Sequence, residues 1–429
     1  MTRTRQLILL LGDSISLIVA FVLMVLIRFG VENEWASLTT LAGPFMLMFL
    51  IWLVVLFICD LYDIKHVNPN PRNIGLLAIA IGINIIVGGF LFYVFPYFGI
   101  APKLTLLITA ACAFGMLVLW RRLFYKLFTS FFVRSIVVIG ESAQFVTFCR
   151  TIAQNPYIGR IIAQFENVQK FSLARTTLER ADVIITETHT PEELSGLADV
   201  RDAEIFSLRD AYEELFGRVP VELIREEWAM SLITKKEGFG YWLFSTAVNR
   251  IIAALVLIAT APFVLITMLA IALESGRPVI YSHRRTGRRS EEFTIYKLRS
   301  MRVDAEKNGA EWSTRNDARV TRVGRIIRKI HIDEIPQMYN VLKGDIALVG
   351  PRPERPEFVE KLEREIPYYF LRHTTKPGFT GWAQIKFHYA GSVMESREKF
   401  EYDLYYVKHR SVLLDLGIIL KTVQIIFTH

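Results

Sequence analysis

Four apolar segments fall within the first 120 residues of this 429-residue chain, at about Leu7–Ile27, Leu41–Leu61, Ile74–Phe95 and Leu104–Trp120. Each approaches the ~20 residues that carry a helix across ~30 Å of hydrocarbon. A chain in lipid must satisfy its own backbone polar groups, so runs of this length predict a four-helix transmembrane bundle over residues 1–133. Composition agrees: 52% of residues are apolar and 21% charged, which excludes a disordered chain and an ordinary soluble enzyme. The opening Met1-Thr-Arg-Thr-Arg-Gln6 enters the first segment with no small-residue cleavage site, as expected of a retained anchor. The three cysteines, Cys59, Cys112 and Cys149, form no C-x-x-C pair and support neither a disulfide framework nor a zinc site.

Flanking charges orient the bundle. Arg3 and Arg5 precede the first segment, Lys65 and Arg72 lie between the second and third, and Arg121, Arg122, Lys126 and Arg134 follow or end the fourth. The first loop carries Glu32 and Glu34, and the third holds little beyond Lys103. The excess of Lys and Arg on one side predicts that both ends of the bundle face the cytoplasm. Arg28 breaks the pattern, and its length lets it snorkel from the span end. Asp13, inside the first segment, reads either as a polar residue near the interface or as an interhelix hydrogen-bonding group.

From Arg134 the pattern changes. Ser135–Gly140, Arg160–Phe165, Ala181–Thr186 and Ala203–Leu208 read as strands, with helical spacing over Gln144–Ala153 and between the later strands. This alternation predicts a small parallel sheet of Rossmann type, residues 134–240. Gly140-Glu-Ser-Ala-Gln-Phe145 keeps only the first glycine of G-x-G-x-x-G, so close approach of a pyrophosphate is not expected. Glu166 stands where a ribose-binding acid would, but a structural or regulatory domain is the expectation.

A fifth apolar run, Ala247–Leu273, has Pro262 near its middle. Proline removes a helix hydrogen bond and clashes with the carbonyl four residues back, and the Thr260 hydroxyl is placed to serve a freed carbonyl. Lys235, Lys236 and Arg250 lie before or at the start of the run, and Arg277, Arg284, Arg285, Arg288 and Arg289 lie after it. Two basic flanks predict a helix–break–helix hairpin, residues 241–275, that re-enters one leaflet.

Residues 276–429 carry 28 Lys/Arg against 19 Asp/Glu, so the whole surplus behind the chain's net +8 lies here. The arginines cluster at Arg284-Arg285, Lys297-Leu-Arg299, Arg325-Ile-Ile-Arg328-Lys329 and Arg352-Pro-Glu-Arg355. Such groups suit phosphate oxygens or anionic headgroups. In His331-Ile-Asp333-Glu334-Ile-Pro336, proline marks a first helical turn and Gly344 a helix end, which places both carboxyls at a helix N-terminus. Capping is the ordinary role there. The chemical alternative is an ionised Asp333 that attacks phosphorus, with Glu334 sharing a Mg²⁺ that neutralises a diphosphate.

The order of five motifs says more than any one. Lys297-Leu-Arg-Ser-Met301, Asp333-Glu-Ile-Pro-Gln337, Asn340-Val-Leu-Lys-Gly-Asp345, Leu348-Val-Gly-Pro-Arg-Pro353 and Lys376-Pro-Gly-Phe-Thr-Gly-Trp-Ala-Gln384 follow one another. Together they closely resemble the bacterial sugar transferase family, the monotopic phosphoglycosyl transferases, over about Ala247 to the C-terminus. The N-terminal half resembles, less specifically, the long exopolysaccharide-type members with a four-span N-terminus. The resemblance implies that a UDP-sugar binds with Mg²⁺, that Asp333 attacks the β-phosphate and releases UMP, and that undecaprenyl phosphate then takes the sugar-phosphate. It implies Asp333 as nucleophile, Asp333 and Glu334 as metal ligands, Arg352 at the nucleotide or phosphates, and Arg285, Lys297, Arg299, Arg328 and Arg355 lining the anionic site. Two departures stand out: the family's hairpin breaks at Ser-Pro where this chain has Ala261-Pro262, and many members carry Asp where Asn249 stands.

The expected architecture is therefore membrane α plus α/β: bundle, Rossmann-like domain, re-entrant hairpin, and a mainly α catalytic domain (276–429) on the inner leaflet of the bacterial cytoplasmic membrane. Tyr402, Tyr405 and Tyr406 are expected at the interface, before an interfacial helix over Val412–Phe427. Asp415 and Lys421 argue against a full span there. Trp382 reads as a headgroup anchor or a uracil-stacking ring. The partners expected are a UDP-sugar, undecaprenyl phosphate and membrane lipid, a possible homodimer mate and polysaccharide-assembly proteins, with no nucleic acid. Competing readings are an inactive scaffold, and a nucleotide-sugar dehydratase or epimerase built on the middle domain.

Overall fold

The computed structural model describes residues 2–30, 34–62, 67–94, 102–131, 134–155, 158–167, 181–187, 203–303, 305, 317–387 and 392–428. The chain divides into two compact units, residues 1–215 and 216–429.

The first unit begins with four helices: α1 (Thr2–Phe29), α2 (Glu34–Ile58), α3 (Pro71–Val94) and α4 (Pro102–Phe131). All four contain stretches long and apolar enough to cross a bilayer. Phe21, Phe45, Phe49, Trp52 and Phe92 form their aromatic core. Asp13 is fully buried and pairs with Arg121 at 2.6 Å. It is thus an interhelix group, and Arg121 also donates to the Leu61 carbonyl at 2.8 Å. In an apolar bundle such a pair holds only because each charge meets the other. One residue earlier on each helix, Gly12 lets the backbone meet an indole: a β-carbon there would stand 1.9 Å from Trp120. Arg28 does not reach for the interface alone; its guanidinium donates to Thr105 Oγ1 at 2.8 Å.

The middle sheet joins β1 (Ser135–Ile139), β2 (Arg160–Phe165), β3 (Val183–Thr186) and β4 (Glu204–Ser207), all parallel, in the order β2-β1-β3-β4. Val137, Ile139, Ala181 and Ile184 form its core. Helix α5 (Ala143–Ala153) follows β1, capped by Ser142, which accepts from Phe145 N at 3.1 Å. At this turn, where a Rossmann domain receives pyrophosphate, the Glu187 carboxylate accepts hydrogen bonds from the Ser142 amide and hydroxyl. The expected helical stretches after β2 and β3 lie outside the described residues. Helix α6 (Leu208–Phe216) closes the unit.

The second unit contains α7 (Glu226–Ile233), α8 (Phe239–Ser275), β5 (Ile280–Thr286), β6 (Glu292–Leu298), α9 (Arg322–Lys329), α10 (Gln337–Lys343), β7 (Ala347–Val349), α11 (Pro356–Glu365), β8 (Gly378–Thr380), α12 (Trp382–Lys386), α13 (Val393–His409) and α14 (Val412–Thr428). Residues 216–240, which the sequence assigns to the middle domain, pack here instead. Val219, Val221, Trp228 and Leu232 bury against Val359, Leu362, Phe400 and Leu404. Their apolar spacing is spread over two short elements, so it reads as a mixed connection.

Helix α8 differs from the expected helix–break–helix. It is one helix across Pro262, which costs a single internal hydrogen bond. The Thr260 hydroxyl donates to the Val256 carbonyl at 2.6 Å, not to that of Ile258, four residues before the proline. Yet both halves of α8 return to the same domain. Ala253 is buried with Met338, Val341 and Ile418, and Ile271 with Leu298 and Ile327. Between them Ile258, Phe263 and Ile266 are exposed.

Of the tyrosines expected at the interface, Tyr406 faces inward instead. Tyr406 is buried, and its hydroxyl lies 2.8 Å from Asp415 Oδ1. Tyr241 donates to Asp415 Oδ2 at 2.7 Å, so this acid ties α14 to α8. Trp382 donates to the Gly217 carbonyl at 2.8 Å and stacks on Tyr405, so its ring serves packing within the domain. Helix α14 buries Ile418 and exposes Leu413 and Leu416.

Segment 216–240 carries a pH-dependent clasp. Glu401 accepts from Val221 N at 3.3 Å and lies 3.6 Å from Arg218. Burial, partly offset by Arg218, pushes its carboxyl up to about 7. A raised folded-state value means that the folded chain holds a proton which the unfolded chain releases above ~4.3. Stability therefore falls as pH rises from there towards 7. Glu401→Gln keeps the acceptor without the charge. Thermal unfolding is expected to place it level with wild type at pH 4 and ~2–6 °C above it at pH 8; a constant difference contradicts the assignment.

Candidate active site

The site assembles on three supports. The first is the β5–β6 hairpin, antiparallel with Tyr281 opposite Lys297. The second is the turn Ile332–Glu334, entered through His331 in the left-handed region and followed by Pro336 and α10. Asp333 and Glu334 thus sit in a 3₁₀ turn directly ahead of the N-terminus of α10. Gly344, at φ 92°, ends α10 as the sequence predicts.

The third support is the loop 350–355 after β7. Gly350 N donates to Thr380 O and Gly378 N to Pro351 O, both at 2.9 Å. A β-carbon on Gly378 would stand 2.0 Å from Gly350 N, so only glycine permits this approach. Beneath the loop, buried Arg372 donates to the Arg352 carbonyl and to Asp403 Oδ2, both at 2.8 Å. The Arg372–Asp403 pair, unmarked in the sequence by any motif, fixes the backbone that carries Arg352.

These supports bring two cations onto one carboxylate oxygen. Glu334 Oε1 lies 2.7 Å from Lys297 Nζ and 2.9 Å from Arg352 Nη2. Burial opposes its charge, but Arg352 and Lys297 outweigh burial and hold the Glu334 carboxyl well below the usual carboxylate range. Asp333 differs. It is 7% exposed, and among the described residues no donor hydrogen-bonds its carboxylate. Burial, then the neighbouring Glu334 charge, pushes it up to about 6. Adjacent carboxyls driven apart in this way serve different roles.

Cations converge further on His283. Burial, then Arg285, Arg355, Lys297 and Arg352, push its imidazole down to about 3, so it is neutral. Arg285 Nε donates to His283 Nε2 at 2.6 Å and its Nη1 to Pro353 O at 3.0 Å. Arg355 donates to the Tyr281 hydroxyl at 3.1 Å. Glu354, 2.7 Å from Lys399 and 3.6 Å from Arg285, balances part of this charge. Tyr281, His283, Glu354 and Lys399 escaped the sequence reading. The strand alternation of β5 was the available signal for the first two, and for Glu354 its place inside the Arg352-Pro-Glu-Arg355 group; none was available for Lys399.

One expected site residue, Arg299, stands elsewhere. Arg299 donates through Nη2 to Ser275 O, Ser275 Oγ and Gly276 O at 2.7–2.9 Å, capping the end of α8 rather than joining the dyad. Arg328 donates to Ser300 Oγ at 2.8 Å, although its charge still acts on Asp333. Asn249 accepts from Leu348 N at 3.2 Å and so joins α8 to β7.

A family model described as bacterial sugar transferase matches residues 240–429. The sugar transferase EpsL of Bacillus subtilis, itself uncharacterized, is 40% identical over 176 residues, 40% of this chain and 81% of that protein. The chain belongs to the bacterial sugar transferase family. Another relative is the UDP-N-acetylgalactosamine-undecaprenyl-phosphate N-acetylgalactosaminephosphotransferase of Aeromonas hydrophila. It is 40% identical over 224 residues, and the match spans about half of each protein, 52% of both. A third is the UDP-glucose:undecaprenyl-phosphate glucose-1-phosphate transferase of Caulobacter vibrioides, 40% identical over 178 residues, 41% of this chain and 67% of that one. The bacterial sugar transferase match includes Lys297, Glu334 and Arg352, and of the Glu401 clasp it omits Arg218 and Val221.

Proposed function

We propose that the protein moves a sugar-1-phosphate from a UDP-sugar to undecaprenyl phosphate, as the first membrane step in building an exopolysaccharide or related glycan. The observation that carries this reading is the unequal pair: Asp333 buried without a hydrogen-bond donor, beside Glu334 held by Lys297 and Arg352. The names of the A. hydrophila and C. vibrioides relatives support the donor and acceptor classes.

An Asp333 oxygen attacks the β-phosphorus of the donor. The bond from that phosphorus to the bridging oxygen breaks, and UMP leaves with the electron pair. The acceptor's phosphate oxygen then attacks the same phosphorus, the bond to Asp333 breaks, and its carboxylate is restored. Lys297 and Arg352, shared between Glu334 and the incoming phosphates, stabilise the charge that develops. An Asp333 carboxyl raised to about 6 by burial and the Glu334 charge is still mostly ionised at neutral pH, the form that attacks.

The donor set suits Mg²⁺. Among the described residues no group of three or more His, Cys, Asp or Glu forms a protein cage. Two neighbouring carboxyls with substrate phosphates are what this hard cation ordinarily uses, and both cations on Glu334 engage Oε1 rather than Oε2. Bound by Asp333 and Glu334, Mg²⁺ would supply neutralisation of the diphosphate.

The reading includes placement. The first unit crosses the inner membrane four times, and α8 dips into one leaflet, which keeps the dyad on the cytoplasmic face at headgroup height. The return of both halves of α8 to one domain supports this. There a soluble nucleotide sugar and a lipid phosphate can both reach Asp333.

Two experiments test the proposal. Purified protein given a panel of UDP-sugars with Mg²⁺ is expected to release UMP from at least one, to stop with EDTA, and to lose at least ~10³-fold in rate in Asp333→Asn. Turnover retained in that variant removes Asp333 from its role. In a chain with its three native cysteines replaced, Lys236→Cys and Arg284→Cys are expected to react with an impermeant maleimide from the same side of sealed vesicles. Reaction from opposite sides would mean that α8 crosses.

A further inference from the structure

Lys297 reaches Glu334 from a strand, and a strand can slide along the helix it packs on. Residues in a strand repeat every ~3.3 Å, so a slip of one position would carry the Lys297 amine away from Glu334 Oε1, which it meets at 2.7 Å. Apolar packing resists such a slip weakly, because it has no preferred direction. Between β6 and α10 that packing is present: Tyr296 meets Tyr339 edge-on with ring centres 5.8 Å apart, and Phe293 joins the cluster that holds Met338 and Val341. The position of β6 along α10 needs a directional contact as well.

Asn340 supplies one. It lies on α10 and is fully buried. Its Oδ1 accepts from Tyr296 N at 3.2 Å, and its Nδ2 donates to Thr294 O at 2.7 Å and to Asp345 Oδ2 at 2.9 Å. One carboxamide thus holds two backbone groups of β6, an N–H and a carbonyl, that would otherwise need other partners. The oxygen and both Nδ2 hydrogens are engaged, so the amide has a single orientation. Turned over, it would set donor against donor at Tyr296 and acceptor against acceptor at Thr294. The bond to Asp345 ties the same amide to the turn after α10, where Asp345 N donates back to Asn340 O at 3.0 Å. A buried carboxamide is costly unless all its groups are paired, and here they are. The residue that follows Tyr296 is Lys297.

We propose that Asn340 is a positioning residue: its carboxamide sets β6 against α10 so that Lys297 meets Glu334, and in this way prepares the site for the donor's diphosphate. The part that concerns the diphosphate rests on the function proposed above; the part that concerns Lys297 and Glu334 does not. None of the three side-chain bonds goes to Lys297, Glu334 or Arg352, so Asn340 acts through the backbone of Thr294 and Tyr296. Arg352 reaches the same oxygen at 2.9 Å from the separate loop after β7. Loss of Asn340 should therefore be felt through Lys297 and leave the Arg352 contact in place.

The test uses full-length protein in nanodiscs and the variant Asn340→Leu, which removes all three bonds and keeps a side chain of similar length. The first readout is amine acetylation mapped by peptide mass spectrometry. Lys297 is expected to label several-fold faster in the variant than in wild type, with exposed Lys361 on α11 unchanged. The second is binding of UDP with Mg²⁺, measured by titration calorimetry. Asn340→Leu is expected to weaken it ~10-fold, the worth of one hydrogen bond to a charged group. In protein that already carries Lys297→Met, the same change is expected to cost less than ~2-fold, because the two residues act as one unit. A purely structural role would cost the same in both backgrounds; that result, or unchanged labelling of Lys297, overturns the proposal. Should the leucine variant not fold, the smaller Asn340→Ala enters the same cycle. Failure of wild type to bind UDP would instead count against the proposed function, while the labelling of Lys297 still decides the role of Asn340.

Discussion

One carboxylate oxygen, Glu334 Oε1, organises the C-terminal unit. Lys297 arrives from the β5–β6 hairpin and Arg352 from the loop after β7, and both end on it. Three separate pieces of chain converge because like-charged groups tolerate this proximity only with an anion between them. The consequence falls on the neighbour. Asp333 is buried by the same convergence but receives no hydrogen bond from it, so its charge is poorly stabilised. The two adjacent carboxyls are thereby driven apart, Glu334 stabilised as the anion and Asp333 not.

Support for that centre is layered. The Arg372–Asp403 pair lies under the Arg352 backbone, and the glycine contact between residues 350 and 378 sets its path. Behind them, residues 218–237 brace α13 and α11, beyond the reach of the family match. A comparable logic holds the first unit, where Asp13 and Arg121 pair inside an apolar bundle and Gly12 admits Trp120 beside them.

Much of this was legible in the sequence. Apolar runs located the five long helices, because length and composition alone decide whether a helix suits a bilayer. Alternating strands located the parallel sheet. The order of motifs located the dyad, Lys297 and Arg352, since these residues lie within the runs that carry the family resemblance. The rest depended on tertiary partners. Nothing local marks Arg299 as a helix cap rather than an anion ligand, or Tyr406 as buried rather than interfacial. Trp382 satisfies its indole on Gly217, 165 residues away. Pro262 suggested a break because local geometry forbids one hydrogen bond, but a long helix packed at both ends absorbs that loss.

The account turns on a covalent bond between Asp333 and phosphorus. Intact-protein and peptide mass spectrometry of enzyme mixed with its UDP-sugar and Mg²⁺, with no acceptor lipid present, tests it most directly. The account predicts added mass equal to one phosphosugar, located on Asp333 and removed when undecaprenyl phosphate is supplied. Transfer to the lipid without such an adduct, or an adduct on another residue, would contradict it.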